Sequence, residues 1–443
     1  MIKSLHTFNS IHKATRRLIP KPGFLLLCIP LLIISSGCSI GFFPSTREDI
    51  SVDEEHFIIK KQIIIADNAI YQNNRSGLRV RGSTPVYVTD CTIYQNGRAG
   101  VNLEQSAELT VEKSNIFSNK NSGIAANNAS KLILKDTLIH QNQNGGIRIR
   151  QDEQSQQKST YVTLQQNKIF LNGEGGIHAI ADTPDPILLI VSENAIYRNR
   201  KTGLRIEDNI HLTAKNNELY SNGAAGIASY VTAELPPKLD IYKNKIYFNL
   251  GSGIFIRSGI TGRIGLSNNL IYNNYRAGIA LGLLNQAEKE QVDVEVFHNT
   301  IVGNGSNVEG AGIRNDSKGD VMIKNNIIAY NFTTGIMSDG CGGFSYNLLF
   351  ANGETSNVKP DSEDFYYLTE KVQYSGCSGR QWGDVLAQPL FFNPDGYNFS
   401  LRKDSPAINA ADTIYSPYFD TFPSTDIGAA PFSPPTESIQ EQP

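Results

Sequence analysis

The segments NAIYRNRKTGL (residues 194–204) and NELYSNGAAGI (residues 217–227) carry the same residue types in the same register, one period apart. Self-similarity at a fixed period decides whether a chain is one solenoid or several ordinary domains. Working outward, Gly followed by an aliphatic residue recurs at Gly77, Gly100, Gly123, Gly146, Gly176, Gly203, Gly226, Gly253, Gly278, Gly312 and Gly335. The spacings are 23, 23, 23, 30, 27, 23, 27, 25, 34 and 23 residues. Seven residues before most of these glycines stands another aliphatic, such as Ile70, Ile169 or Ile246, and three residues after it there is Asn, from Asn73 to Asn331. A second Asn precedes the aliphatic by two, from Asn167 to Asn326, with Cys91, Ser114 and Thr137 in that place earlier in the chain.

The offsets have a physical meaning. Apolar pairs such as Val86/Val88, Leu132/Leu134 and Val321/Ile323 alternate with period two, so each marks a short strand with one buried face. The Asn- and Gly-containing segments between them are turns. A unit this short cannot bury its apolar face alone; stacked on copies of itself it sets Ile on Ile and Asn on Asn. The stacked Asn side chains then satisfy turn backbone that would otherwise be buried and unpaired. The repeat Gly supplies either a positive φ or a tightly packed corner.

The pattern N-x-I-x-x-N-x-x-x-G-I resembles the right-handed parallel β-helix repeat of pectate-lyase-like proteins over about residues 60–352. The resemblance implies an all-β fold, a single right-handed parallel β-helix of about 11–12 coils with a C-terminal closing segment. At roughly 4.8 Å per coil the ten intervals span roughly 48 Å. The extra residues of the long coils fall at 151–159, 181–186, 231–238 and 282–291, after the Gly strand, and at 305–310 before Gly312, so they wall a groove on that flank. Residues 45–57 read as a polar N-terminal cap. Residues 353–431 break the period and resemble the closing segment of secreted bacterial β-helix proteins, which packs back on the last coils; Cys341 and Cys377 bracket it and are a candidate disulfide in an oxidising compartment. The expected partition is a lipoprotein signal peptide (1–37), anchor linker and cap (38–59), β-helix (60–352), capping segment (353–431) and disordered tail (432–443).

The charge is split. The whole chain is at −3, but five of the 40 basic residues and none of the acids lie in residues 1–37, leaving 35 basic against 43 acidic residues, or −8, from Cys38 on. A chain of that sign is a poor general nucleic-acid binder, because phosphate neutralisation needs clustered positive charge. FLLLCIPLLIISS (24–36) is too short to span a bilayer comfortably and suits a signal-peptide core. It runs into Ser36-Gly37-Cys38, which resembles a bacterial lipoprotein lipobox, with Ser35 where the family prefers Leu or Val. The resemblance implies acylation of Cys38, and Ser39 after it implies the outer membrane, with the protein on the periplasmic or cell-surface face. Thr15-Arg16-Arg17 also resembles a twin-arginine export signal.

Two outward faces are candidates for function. The residue after the central aliphatic is Tyr71, Tyr94, Phe117, His140, Phe170, Tyr197, Tyr220, Tyr247 and Tyr272. Mutual stacking that stiffens the wall is the preferred reading; a platform for sugar rings or a protein partner is the alternative. After the Gly, in G-φ-x-φ-x, the outward residues include Arg148/Arg150, His178, Arg205/Glu207, Tyr230 and Phe255/Arg257, a basic strip in an acidic chain. In pectate-lyase-like enzymes the substrate lies in the corresponding groove. Uronate elimination needs a cation beside the carboxylate and a base for the adjacent proton. Arg148 and Arg205 suit the first role, His178, kept neutral by its Arg neighbours, the second, and Tyr230 that of the acid. Arg150, Glu207 and Arg257 are then substrate-binding. A solvated charged face with pairs such as Arg205–Glu207 is the competing reading.

Several chemistries are disfavoured. No Asp pair with Gly-His-Gly, no Asp-Pro-His-Glu and no CxxC zinc spacing occurs. No cofactor is expected, calcium being the one cation left open. The function expected from the sequence is an exported, membrane-anchored β-helix lipoprotein that binds an acidic polysaccharide, with lyase-type elimination as the further step. The alternative is a non-catalytic surface scaffold or adhesion module.

Overall fold

In the computed structural model the described residues are 45–53, 56–153, 159–231, 237–258, 262–282, 293–306, 310–317, 321–340, 342–353, 373–377, 380–413 and 425–429. Residues 37–443 form one compact unit, and residues 1–36 another whose structure lies outside the described residues. The expected acylation site Cys38, the twin-arginine segment, Cys341 and the tail 432–443 also lie outside them.

Three long parallel sheets run through residues 37–443, with 13, 12 and 12 strands. We call them A, B and C in the order the chain visits them. Each coil contributes one strand to each sheet, so strands adjacent in a sheet are one repeat apart in sequence. In sheet B the central aliphatics stack directly, Ile139 on Ile169 on Ile196 on Leu219 on Ile246. In sheet C the residue after each repeat Gly does the same, Ile147 on Ile177 on Leu204 on Ile227 on Ile254. The burial pattern alternates, as in Ile177–Ala181 and Ile210–Lys215, and one apolar column fills the interior from Ile65 to Tyr374. The fold is the right-handed parallel β-helix that the repeat implied.

The corners explain the Asn. Two Asn ladders run inside the turns, each side chain holding the next. Asn199 donates from its backbone N and its Nδ2 to Asn222 Oδ1, both at 3.1 Å, and Asn222 does the same to Asn249 Oδ1 at 3.0 Å. From Asn96 on, the ladder Nδ2 groups also reach back to a carbonyl of the preceding rung, as Asn222 does to Ile196 O at 3.0 Å. The second ladder runs from Asn167 through Asn194, Asn217, Asn244, Asn269, Asn299 and Asn326 to Asn347.

The repeat glycines are close-packed and have no left-handed φ. A Cβ on Gly226 would lie 2.5 Å from Ile246 Cγ2 and 2.8 Å from Gly253 O. The left-handed backbone falls instead on non-glycine residues beside the ladders, such as Gln95, Ser118, Leu171 and Arg198 after the stripe residue, and Asp90, Lys113 and Glu193 before the second ladder. Each such residue costs about 1–2 kcal/mol. The buried Asn hydrogen bonds at the same corners offset that strain.

The two ends are finished differently. At the N-terminal end Ser45–Asp53 pairs antiparallel with His56–Ala66, so the edge of sheet A carries a hairpin strand. At the other end the last rung is completed beyond residue 352, by Tyr374–Ser375 pairing with Ile336–Ser338. Gln373 Oε1 accepts from Asn352 and ends one ladder. Asp384 Oδ1 accepts Asn347 N at 2.8 Å and ends the other. The antiparallel pair Phe391–Asn393 and Asn398–Leu401 then packs on the outer face of sheet B, where Phe391, Phe399, Leu401, Ala407 and Ile427 cover Tyr272, Val302, Ile327, Ala329 and Leu348. Cys377 is disulfide-bonded, and its partner lies outside the described residues.

Candidate functional site

The post-Gly strands place the basic strip on the outer face of sheet C. Parallel pairing sets Arg148 beside His178 and His178 beside Arg205, each one rung on. The neighbouring row runs Arg150, Ile180, Glu207, Tyr230 and Arg257. The two rows therefore bring together the residues the sequence singles out, with Ile180 separating Arg150 from Glu207.

Glu207 is the hub. Its Oε1 accepts Arg205 Nε at 2.6 Å and faces His178 Nε2 at 2.7 Å. The competing sequence reading, an Arg205–Glu207 pair on one strand, is therefore part of the arrangement. Arg205 has its guanidinium carbon 4.4 Å from the centre of the Tyr230 ring, and Tyr230 in turn lies 5.5 Å from Phe255. Arg150 is drawn off toward Asp182 at 3.1 Å and Asp152 at 3.8 Å. Arg257 is exposed, in register with Tyr230. Arg148 is exposed, and among the described residues no carboxylate reaches ion-pair distance of it.

His178 is held below the usual imidazole range. Burial is the main cause, Glu207 acts against it, and the Arg205 and Arg148 charges add to it. With Nε2 donating to Glu207, the lone pair is on Nδ1. Glu174 has its carboxyl lowered, first by the Lys201 hydrogen bond at 2.9 Å and further by His178 and Arg148.

Glu174 and Asp182 are site residues that the repeat does not reveal, because they sit in a turn and in an insertion, where it offers no register to read. The insertion at 181–186 is tied down, with Asn209 Nδ2 donating to Thr183 O at 3.1 Å and Pro184 O at 2.7 Å. Residues 154–158, 232–236, 283–291 and 307–309 of the other insertions, which were to wall the groove, lie outside the described residues. No group of three His, Cys, Asp or Glu side chains gathers as metal ligands among the described residues.

The second candidate face is a stack. From Tyr71 to Tyr272 nine rings follow one another at 4.7–5.1 Å between centres, with planes within 14°. The rings satisfy one another along the wall, and burial in the stack pushes the Tyr247 hydroxyl up to about 12. At its C-terminal end Tyr272 is covered by Tyr397 and Phe399, 5.4 and 5.2 Å away.

A family model of the right-handed beta helix region matches residues 50–189, and one described as periplasmic copper-binding protein (NosD) matches residues 182–312. No curated protein sequence matches the chain. Among solved structures it is similar to a mutant of the periplasmic alginate epimerase AlgG, at 13% identity over 74% of this chain and 86% of that one, with a TM-score of 0.41. It is also similar to pectate lyase Pel9A, at 14% identity over 84% and 80% with a TM-score of 0.36. A mutant of the PL6 family alginate lyase AlyGC gives 15%, 84%, 56% and 0.35 for the same quantities. With its stacked repeat, its three parallel sheets and the match to the β-helix region, the chain is a parallel β-helix repeat protein.

Proposed function

We propose that the outer face of sheet C binds an acidic polysaccharide and carries out lyase-type elimination on it. The observation that carries the reading is His178, braced by Glu207 and held by burial below the usual imidazole range, in register between Arg148 and Arg205. Arg148 is the group for a uronate carboxylate, because Arg205 and Arg150 are already paired. His178 takes the proton next to that carboxylate; the resulting electron pair forms the double bond as the glycosidic C–O bond breaks. Tyr230 returns a proton to the leaving oxygen. Arg205 and Glu207 position the imidazole and the phenol, and Arg257 extends the binding row. In the same reading the protein is exported, anchored through an acylated Cys38 to the outer membrane, and faces the periplasm or the cell surface. The periplasmic descriptions attached to the NosD family and to AlgG agree with export.

A non-catalytic scaffold or adhesion module is the second reading, favoured by the unbroken ring stack, which stiffens the wall with no ligand. The test is a screen of the protein against uronate-containing polysaccharides, reading binding and the ultraviolet absorbance of the unsaturated product. Formation of product, with His178→Ala and Arg148→Ala each lowering its rate by about 10²–10⁴-fold and Tyr94→Ala leaving it unchanged, supports the enzyme. Binding without product removes the elimination step, and no binding to any glycan hands the case to the scaffold.

A further inference from the structure

We propose that the C-terminal segment is an acid-sensitive strap, latched onto the solenoid by a neutral His298 whose protonation releases it from the outer face of sheet B. His298 and Asn325 occupy the same corner of successive rungs, both with left-handed φ, at 52° and 56°. The strap meets them at two places. Asp412 exchanges two hydrogen bonds with the Asn325 amide, its N donating to Oδ1 at 2.8 Å and its O accepting from Nδ2 at 3.0 Å. Further on, Asp426 O faces His298 Nδ1 at 3.2 Å, and Gly428 N donates to Asn325 O at 2.9 Å. Ala429 N donates to Thr300 Oγ1 at 2.9 Å. Gly428 makes this approach at a φ of 99°, and a Cβ there would lie 2.6 Å from Ile327 Cδ1.

This network leaves one protonation state for the ring. The pair of hydrogen bonds with Asp412 fixes which way the Asn325 amide points, so the group 3.1 Å from His298 Nε2 is an NH2 donor. Nε2 therefore accepts. Nδ1 faces a carbonyl and therefore carries the hydrogen. A proton from solvent can add only at Nε2, where it meets the Asn325 NH2, donor against donor. To relieve that contact either Asn325 turns and loses both bonds to Asp412, or the ring turns and loses Asp426.

The surrounding charges do not cancel the effect. Asp426 is the charged group that acts on the ring, and its Oδ1 already accepts Asn409 N at 3.0 Å. Lys324 and Asp412, flanking Asn325, face each other at 3.9 Å. Burial dominates and holds the ring below the ordinary imidazole range. The docked state thus binds fewer protons than the released one. Docking is at full strength above the ordinary imidazole value and is lost as pH falls below it toward the depressed docked value. What release of this stretch uncovers is Thr300 and Ile327 of sheet B, against which Ala429 and Gly428 sit.

The test is amide hydrogen exchange of Ala411, Ile427, Gly428 and Ala429 in the whole protein, corrected for intrinsic rates, between about pH 7.5 and about pH 5. The expected result is a loss of protection of about tenfold per pH unit below the released value, with the Asn ladder amides unaffected. His298→Asn keeps a donor for Asp426 O, tolerates the left-handed corner and does not titrate; it should hold the strap at both pH values. Unchanged wild-type protection across the range, or an equal acid loss in His298→Asn, overturns the proposal. If the variant does not dock, ring titration of wild-type His298 by NMR decides: a midpoint at or above about 6.5 overturns it, and a midpoint below supports it.

Discussion

At the scale of a residue, the ladder Asn is the unit of stability. Asn222 is fully buried; its oxygen takes two donors from Asn199 and its nitrogen serves Ile196 O and Asn249 Oδ1. Asn222→Leu is nearly isosteric but leaves those partners unpaired. Each buried orphan costs about 1–3 kcal/mol, so urea unfolding should show a loss of at least that size. A midpoint equal to wild type would mean that the ladder contributes nothing to folding. The ring of His178 shows the opposite economy, since a single carboxylate, Glu207, serves both this imidazole and the Arg205 guanidinium and keeps both oriented.

At the scale of an element, the strands of sheet B are only three residues long, so one outward ring per strand dominates the wall. Phe117 sits between Tyr94 and His140, 5.1 Å from each. Aromatic pairs contribute about 0.5–1.5 kcal/mol each beyond area burial. Phe117→Ala removes two of them and should destabilise by about 1–3 kcal/mol. Because a solenoid is coupled mainly to nearest neighbours, faster amide exchange should centre on the Tyr94 and His140 rungs. Loss spread evenly along the molecule would contradict this local coupling.

At the scale of the whole molecule, a stack of rungs needs its last hydrogen-bonding groups satisfied. Asp384 does this for one ladder, taking Asn347 N at 2.8 Å, Gln381 N at 3.0 Å and the Tyr374 hydroxyl at 2.5 Å. Burial is the chief reason its carboxyl titrates above the ordinary range. Asp384→Ala strands three donors at about 1–3 kcal/mol each. Exchange at Asn347 and Asn326 should rise first, with the rungs around Asn119 unaffected. Uniform protection from end to end would show that the cap is dispensable.

The repeat determined the architecture and the register. Each rung contacts only its neighbours, so the offsets in sequence are the pairings in space, and the repeat alone aligns Arg148, His178 and Arg205. The inward Asn and the outward rings were legible for the same reason, whereas the repeat left its Gly as either a positive-φ residue or a close-packed corner, and the structure makes it the latter. Three things depended on the tertiary structure. The left-handed corners fall on Gln, Ser, Lys and Arg, which have no such preference of their own and adopt it because the ladder bonds outweigh the strain. The pairing of Glu207 with His178, and of Asp182 with Arg150, depends on side-chain direction and on an insertion outside the period. The landing of the C-terminal segment on Tyr272, and its latch at His298, joins residues more than a hundred positions apart that no repeat relates.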